Sequence, residues 1–181
     1  MATVIIRPTG EPASTTGFDV SDATFIEAIN DNDDSTAATQ NNVTCSATGI
    51  EFGNSSSYSG ATINSIQLSV TGASTGRGTP SVTCTLFNGN TQLQTSELTF
   101  SSATTLSLSA YSTSLTPTIV DNLTATIDPD TTGVALKEVF ITVDYTAGSG
   151  YSNKVAGIAA ASVSKVSTLA TANIGKINTV D

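Results

Sequence analysis

An all-β architecture, a β-sandwich or jelly roll carrying one short helix and a C-terminal repeat extension, is expected from three observations. Apolar residues recur at every second position in several short runs, which turns one face of each run inward and the other outward. Turn-forming residues separate these runs at short intervals, with no interleaved long helical pattern that would signal βαβ units. Charged residues make up 12% of the chain, while Ser, Thr, Asn and Gly abound. Disordered chains pair low hydrophobicity with high charge. Here the composition suits outward strand faces coated with hydroxyls, because β-branched Thr fits the pleat.

The elements follow in order. Val4–Ile6 reads as a first strand, ended by Pro8 and Pro12, which lack ladder donors. Phe25, Ile26 and Ile29 fall on one face of one or two helical turns, with Asp19 or Ser21 as cap and Asp22 at the positive end. Alternation then marks Val43–Ala47, Ile66–Val70, Val82–Leu86, Leu98–Phe100, Leu106–Leu108 and, most clearly, Val139–Tyr145. Gly72–Pro80, Asn88–Asn90, Asp128–Asp130 and Thr132–Gly133 read as turns. Asn88-Gly89 between Leu86 and Leu93 has the chemistry of a hairpin turn.

The chain has 181 residues, enough for one domain plus an extension; a domain of about 150 residues buries roughly 70% of its unfolded surface. Residues 1–147 are expected to form the sandwich, 148–153 a joint rich in Gly and Ser, and 154–181 an extension for oligomerisation or docking. No apolar run is long enough to span a membrane, and the N-terminal apolar run is too short for a signal peptide. The net charge is −9 with six Lys and Arg in all, which argues against nucleic acid as a partner. The charge is uneven. Residues 1–150 carry three basic and fourteen acidic side chains, whereas 151–181 carry Lys154, Lys165 and Lys176 against Asp181. Cys45 and Cys84, the two cysteines, read as buried free thiols, with a disulfide between two strands as the alternative.

The extension repeats every eleven residues. Lys154, Lys165 and Lys176 correspond, as do Val155, Val166 and Ile177, then Ile158, Leu169 and Val180, then Val163 and Ile174. A helix with an eleven-residue seam accounts for this period. So does a turn followed by an extended piece, which Gly157, Gly175 and the many Thr, Ser and Val residues favour. Two and a half repeats cannot bury that apolar stripe alone. These eleven Lys, Val, Ile and Leu positions are therefore the candidate docking residues.

Ile29–Thr36, Ile50–Gly53, Gly60–Val70 and Val134–Tyr145 together resemble a galactose-binding-like jelly-roll module of phage and prophage structural proteins, over roughly residues 1–147. The Lys-Val-x-Gly repeats resemble Lys-Val-Asn-Gly-Val repeats of phage and bacterial surface proteins. The resemblance implies a β-sandwich in a tailed-phage virion, made in the host cytoplasm. Its role would be structural, as a capsid decoration or a head or tail fibre subunit. Its partners would be the major capsid protein or tail and fibre proteins, and the symmetric oligomer expected of such parts is first of all a trimer. The alternative is a glycan-binding adhesin module of a tail fibre, contacting sugar through Tyr58, Arg77 and Tyr111.

Asp31, Asp33 and Asp34 are the candidate metal ligands, hard oxygens in one loop that suit calcium. They form no EF-hand, since Thr36 and Asn42 occupy the Gly and Glu positions of that loop. No other cofactor is expected. Catalysis lacks its parts: there is no His, two separated cysteines make no zinc site, and Glu51, Glu97 and Glu138 have no glycosidase context. Ser162 and Lys165 match Ser-x-x-Lys, but the Lys recurs in the repeat without the Ser.

Overall fold

The computed structural model describes residues 1–20, 24–30, 36–41, 44–53, 58, 60–76 and 78–148, together with the backbone of 165–166 and 169–170. It is all-β with two short helices. The strands are β1 (Ala2–Ile6), β2 (Ser14–Thr16), β3 (Phe18–Val20), β4 (Ala38–Gln40), β5 (Ser46–Phe52), β6 (Thr62–Ser74), β7 (Ser81–Asn88), β8 (Thr91–Thr99), β9 (Thr104–Ser107), β10 (Leu123–Pro129) and β11 (Val134–Thr146). The helices are α1 (Phe25–Asn30) and α2 (Pro117–Asp121). Two antiparallel sheets result. Sheet A runs β3-β4-β11-β6-β9, with β1 also paired to β11; sheet B runs β2-β5-β10-β7-β8.

Alternation builds the core. Ile66, Leu68 and Val70 of β6 and Val139, Ile141 and Val143 of β11 face inward from sheet A. Val82, Cys84 and Leu86 of β7 and Leu123, Ala125 and Ile127 of β10 meet them from sheet B. Each buried Val, Leu or Ile contributes about 1.5–3 kcal/mol by leaving water. Phe100, fully buried, crosses β6 at Gly72, where an added Cβ would stand 2.9 Å from the Phe100 ring and 3.2 Å from the Ala135 carbonyl oxygen. Glycine is the residue that permits this crossing. β4 and β1 occupy the two ends of the same side of β11. α1 packs on β11 with Phe25, Ala28 and Ile29 buried, and its Phe25 ring meets Phe18 at 5.2 Å. The Arg7 side chain, just past β1, bonds the Glu138 carboxylate on β11.

The hairpin expected at Asn88-Gly89 forms: Asn88 pairs with Thr91, and Gly89 takes φ +54°. Several expectations are corrected. The helix is capped by Thr24, whose Oγ1 accepts from the Glu27 amide at 3.2 Å; Asp19 instead lies in β3, accepting from the Asn41 side chain at 2.7 Å. Ser21, Asp22 and Val43 lie outside the described residues. The strand expected over Val43–Ala47 is Ser46–Phe52. Asp128 and Pro129 complete β10 rather than make a turn. Pro129 is tolerated there because it stands at the end of the strand. In the extension, Lys165 pairs with Ala170 and Val166 with Leu169, a short antiparallel ladder (β12, β13). The rest of 154–181 lies outside the described residues.

Candidate functional site

Sheet B presents the more distinctive outer surface, and strand register lays it out in rows. The first row is Glu51, Thr124, Phe87 and Gln92, from β5, β10, β7 and β8. The second is Thr126, Thr85 and Thr95, and the third Asp128, Thr83 and Glu97. Side chains alternate along each strand, so these residues face outward because Leu86, Cys84, Ala125 and Ile127 face the core. Hydroxyls tie the rows together. Thr85 and Thr95 share a hydrogen bond at 2.9 Å, Thr83 donates to both Asp130 oxygens at 3.1 and 2.9 Å, and Ser46 donates to Asp128. Phe87 is the exception in this hydroxylated grid, a half-buried ring flanked by Thr124 and Gln92.

Beside that ring the surface opens into a cleft of about 280 Å³, walled by Thr9, Glu51, Gly53, Asp121, Asn122 and Thr124. Four segments far apart in sequence make it. Thr9 is held by its amide donating to the Glu51 carbonyl at 3.0 Å. Asp121 and Asn122 are placed by α2, whose first turn is set by Pro117 and by Thr116, the N-cap, accepting from the Ile119 amide. Proline suits that position because its missing N–H would have had no helical partner. Gly89, in the turn between β7 and β8, donates its amide to the Asn122 carbonyl at 3.0 Å. Carboxylate, amide and hydroxyl groups therefore line one cleft, and two of its residues, Glu51 and Thr124, share a strand row with Phe87. Carboxylates accept hydrogen bonds, amides both donate and accept, and a ring offers an apolar face.

Three buried groups are held protonated. Cys84 and Cys45 are buried and pushed up to about 12, by burial first and then by nearby carboxylates, Asp130 and Asp128 for Cys84 and Asp128 for Cys45. Both thiols are free, and neutral thiols are inert. Tyr58 is likewise raised to about 12, by burial and then by Tyr145 and Asp121.

The aromatic candidates for sugar contact lie elsewhere. Tyr58 is fully buried, edge-on to Tyr145 with centroids 5.4 Å apart, so it offers no ring face to a ligand. Tyr111 is half-buried against the core and bridges Ile66 through its backbone on sheet A. Arg77 lies outside the described residues, as do Asp31, Asp33 and Asp34. Among the described residues, no three His, Cys, Asp or Glu side chains form a metal-binding group. Phe87 and Asn122 were not foreseen. The signal for Phe87 was present: alternation through Val82, Cys84 and Leu86 turns the next residue outward.

No protein-family model matches the chain, and no curated protein matches its sequence. Among solved structures it is similar to the C-terminal carbohydrate-binding module of a marine laminarinase from Zobellia galactanivorans, at 15% identity and TM-score 0.45, covering 78% of this chain and 98% of that one. It is also similar to a carbohydrate-binding module of Cellvibrio mixtus lichenase 5A in complex with cellotriose, at 13% identity and TM-score 0.45, covering 79% and 97%. A third likeness, at 14% identity and TM-score 0.43, is to the CBM22-1 and GH10 modules of Clostridium thermocellum xylanase 10B complexed with xylohexaose, covering 81% of this chain and 30% of that one.

Two of these structures are carbohydrate-binding modules and the third holds one beside a GH10 module, and the expectation of a phage virion protein is corrected on that finding. The capsid and fibre roles fall with it. So do the virion location, the major capsid, tail and fibre partners, and the trimer expected to match virion symmetry.

Proposed function

We propose that this chain is a non-catalytic glycan-binding module, which takes its ligand on the outer face of sheet B and in the adjoining cleft. One observation carries the reading: the half-buried Phe87 stands between Thr124 and Gln92 in a row whose Thr124 and Glu51 line a cleft with Asp121 and Asn122. A pyranose ring is apolar on its C–H faces and polar at its rim. An aromatic platform bordered by acceptors and amides matches that division. The rows of Thr on either side extend the surface along the strands, so the ligand is an oligosaccharide rather than a single sugar.

Isothermal titration with soluble gluco- and xylo-oligosaccharides tests the proposal. At least one should bind, and Phe87→Ala should weaken it about tenfold, a loss of about 1.4 kcal/mol. Binding that survives Phe87→Ala and Glu51→Gln unchanged would put the ligand elsewhere. No binding across a broad glycan array would reject the function.

A further inference from the structure

The strands of sheet B carry Glu51, Glu97 and Asp128 and no Lys or Arg. Asp121 and Asp130 extend that charge at the two ends of β10. The basic side chains among the described residues, Arg7 and Lys137, belong to the other sheet: Arg7 follows β1 and Lys137 lies in β11. Outward-facing charge of one sign adds up to a field that attracts the opposite sign. The same chain supplies that opposite sign. Residues 151–181 hold Lys154, Lys165 and Lys176 against one Asp.

Chain geometry allows the two to meet. β11 ends at Thr146, and Gly148 lies against Gly60, in the connection from β5 to β6. Phe52 pairs with Leu123, so the β5 end of this connection lies at the Glu51 and Asp121 end of sheet B. From there β10, seven residues long, spans about 23 Å at roughly 3.3 Å per residue. The residues after Gly148 exceed that reach several-fold. Where their backbone is described, at Lys165–Val166 and Leu169–Ala170, it is paired strand. The Val, Ile and Leu residues of the repeat need apolar cover, and the Phe87 ring with the methyl groups of Thr85, Thr95, Thr124 and Thr126 provides a surface for it.

We infer that residues 151–181 dock on the outer face of sheet B of their own chain, with the three lysines against its carboxylates. The docking stands independently of glycan binding. If the glycan reading holds as well, the segment and the glycan compete for the row that contains Phe87.

Zero-length carbodiimide cross-linking of the full chain tests the docking, using an equal mixture of unlabelled and nitrogen-15-labelled protein at low micromolar concentration. Mass spectrometry should find Lys154, Lys165 or Lys176 joined to Glu51, Glu97, Asp121, Asp128 or Asp130 within chains of one isotope. The yield should fall several-fold at 0.5 M salt, where the Debye length is about 4 Å. Products on Asp19, Glu138 or Asp144 of sheet A would overturn the assignment. Products joining light to heavy chains would assign the surface to a second copy instead, and absence of products from these lysines would also overturn it. A triple variant, Lys154→Gln, Lys165→Gln and Lys176→Gln, should bind an oligosaccharide at least threefold more tightly than the parent. Equal affinity overturns the competition alone, and failure of both chains to bind any glycan counts against the proposed function, while the cross-links still decide the docking.

Discussion

Sheet A and sheet B share one core and turn different chemistry outward. Sheet A mixes charges, with Arg7 bonded to Glu138, Lys137 on the same strand, and hydrogen-bonded Ser69–Ser107 and Thr71–Thr105 pairs at 2.7 and 2.8 Å. Its exposed apolar side chains, Ile5 and Val20, sit singly, which is ordinary for a protein surface. Sheet B is acidic and hydroxylated, with one aromatic ring set beside a cleft. The inner faces are governed by packing, which fixes residue size and leaves little choice. The outer faces are free of that constraint, and the proposed glycan site rests on their divergence.

Alkali should strain this arrangement most. Cys45 and Cys84 belong to the sheet B side, and Tyr58 packs on Tyr145 of β11. All three have folded-state values raised to about 12. A raised value means that stability is complete below the unfolded pKa values, about 8.5 for Cys and 10 for Tyr, and is lost as pH rises toward 12. Circular dichroism should therefore show cooperative unfolding in that window. Cys84→Ala should move its midpoint upward, and an unmoved midpoint would clear this thiol.

Removing the contact between the sheets comes next. Phe100→Ala should cost about 3–5 kcal/mol in urea unfolding, and Gly72→Ala, which presses a methyl group on that ring, about 1–3 kcal/mol. A double variant restoring space at Phe100 should cost less than the sum of the two singles, since the residues touch. The smallest stability effect separates the outer faces. Phe87→Ala and Ile5→Ala should each change stability by less than about 0.5 kcal/mol, but only Phe87→Ala should weaken glycan binding. Equal effects on binding would remove the distinction between the sheets.

Much of this fold is legible in the sequence where alternation is long enough to see. β6, β7 and β11 announce themselves, and the Asn88-Gly89 turn fixes the β7–β8 hairpin. β2, β3 and β4 are three residues each, too short for a period to register, and they exist through pairing with β5, with β11 and with one another. β10 alternates from Leu123 to Ile127, but Asp128-Pro129 reads as a turn and hides its end. α2 carried a readable signal in Thr116-Pro117, a cap followed by proline at the first helical position. The site was less legible. Its cleft joins the stretch after β1, the end of β5, the β7–β8 turn and the start of β10, and local patterns carry no record of that meeting. Tyr58, named as a sugar contact, is instead buried by tertiary packing on Tyr145, which no local pattern records.

The two protonated, buried cysteines also make the molecule a convenient frame for probes. Maleimides and methanethiosulfonates react with thiolates, so the native thiols should stay silent at neutral pH. A cysteine placed at Thr126 or Gln92 would then be the one reactive thiol on the outer face of sheet B, ready for a fluorophore or a spin label with the native pair left in place. Distances from such a label to a second one in the C-terminal segment would follow that segment on and off the face as salt or oligosaccharide is added.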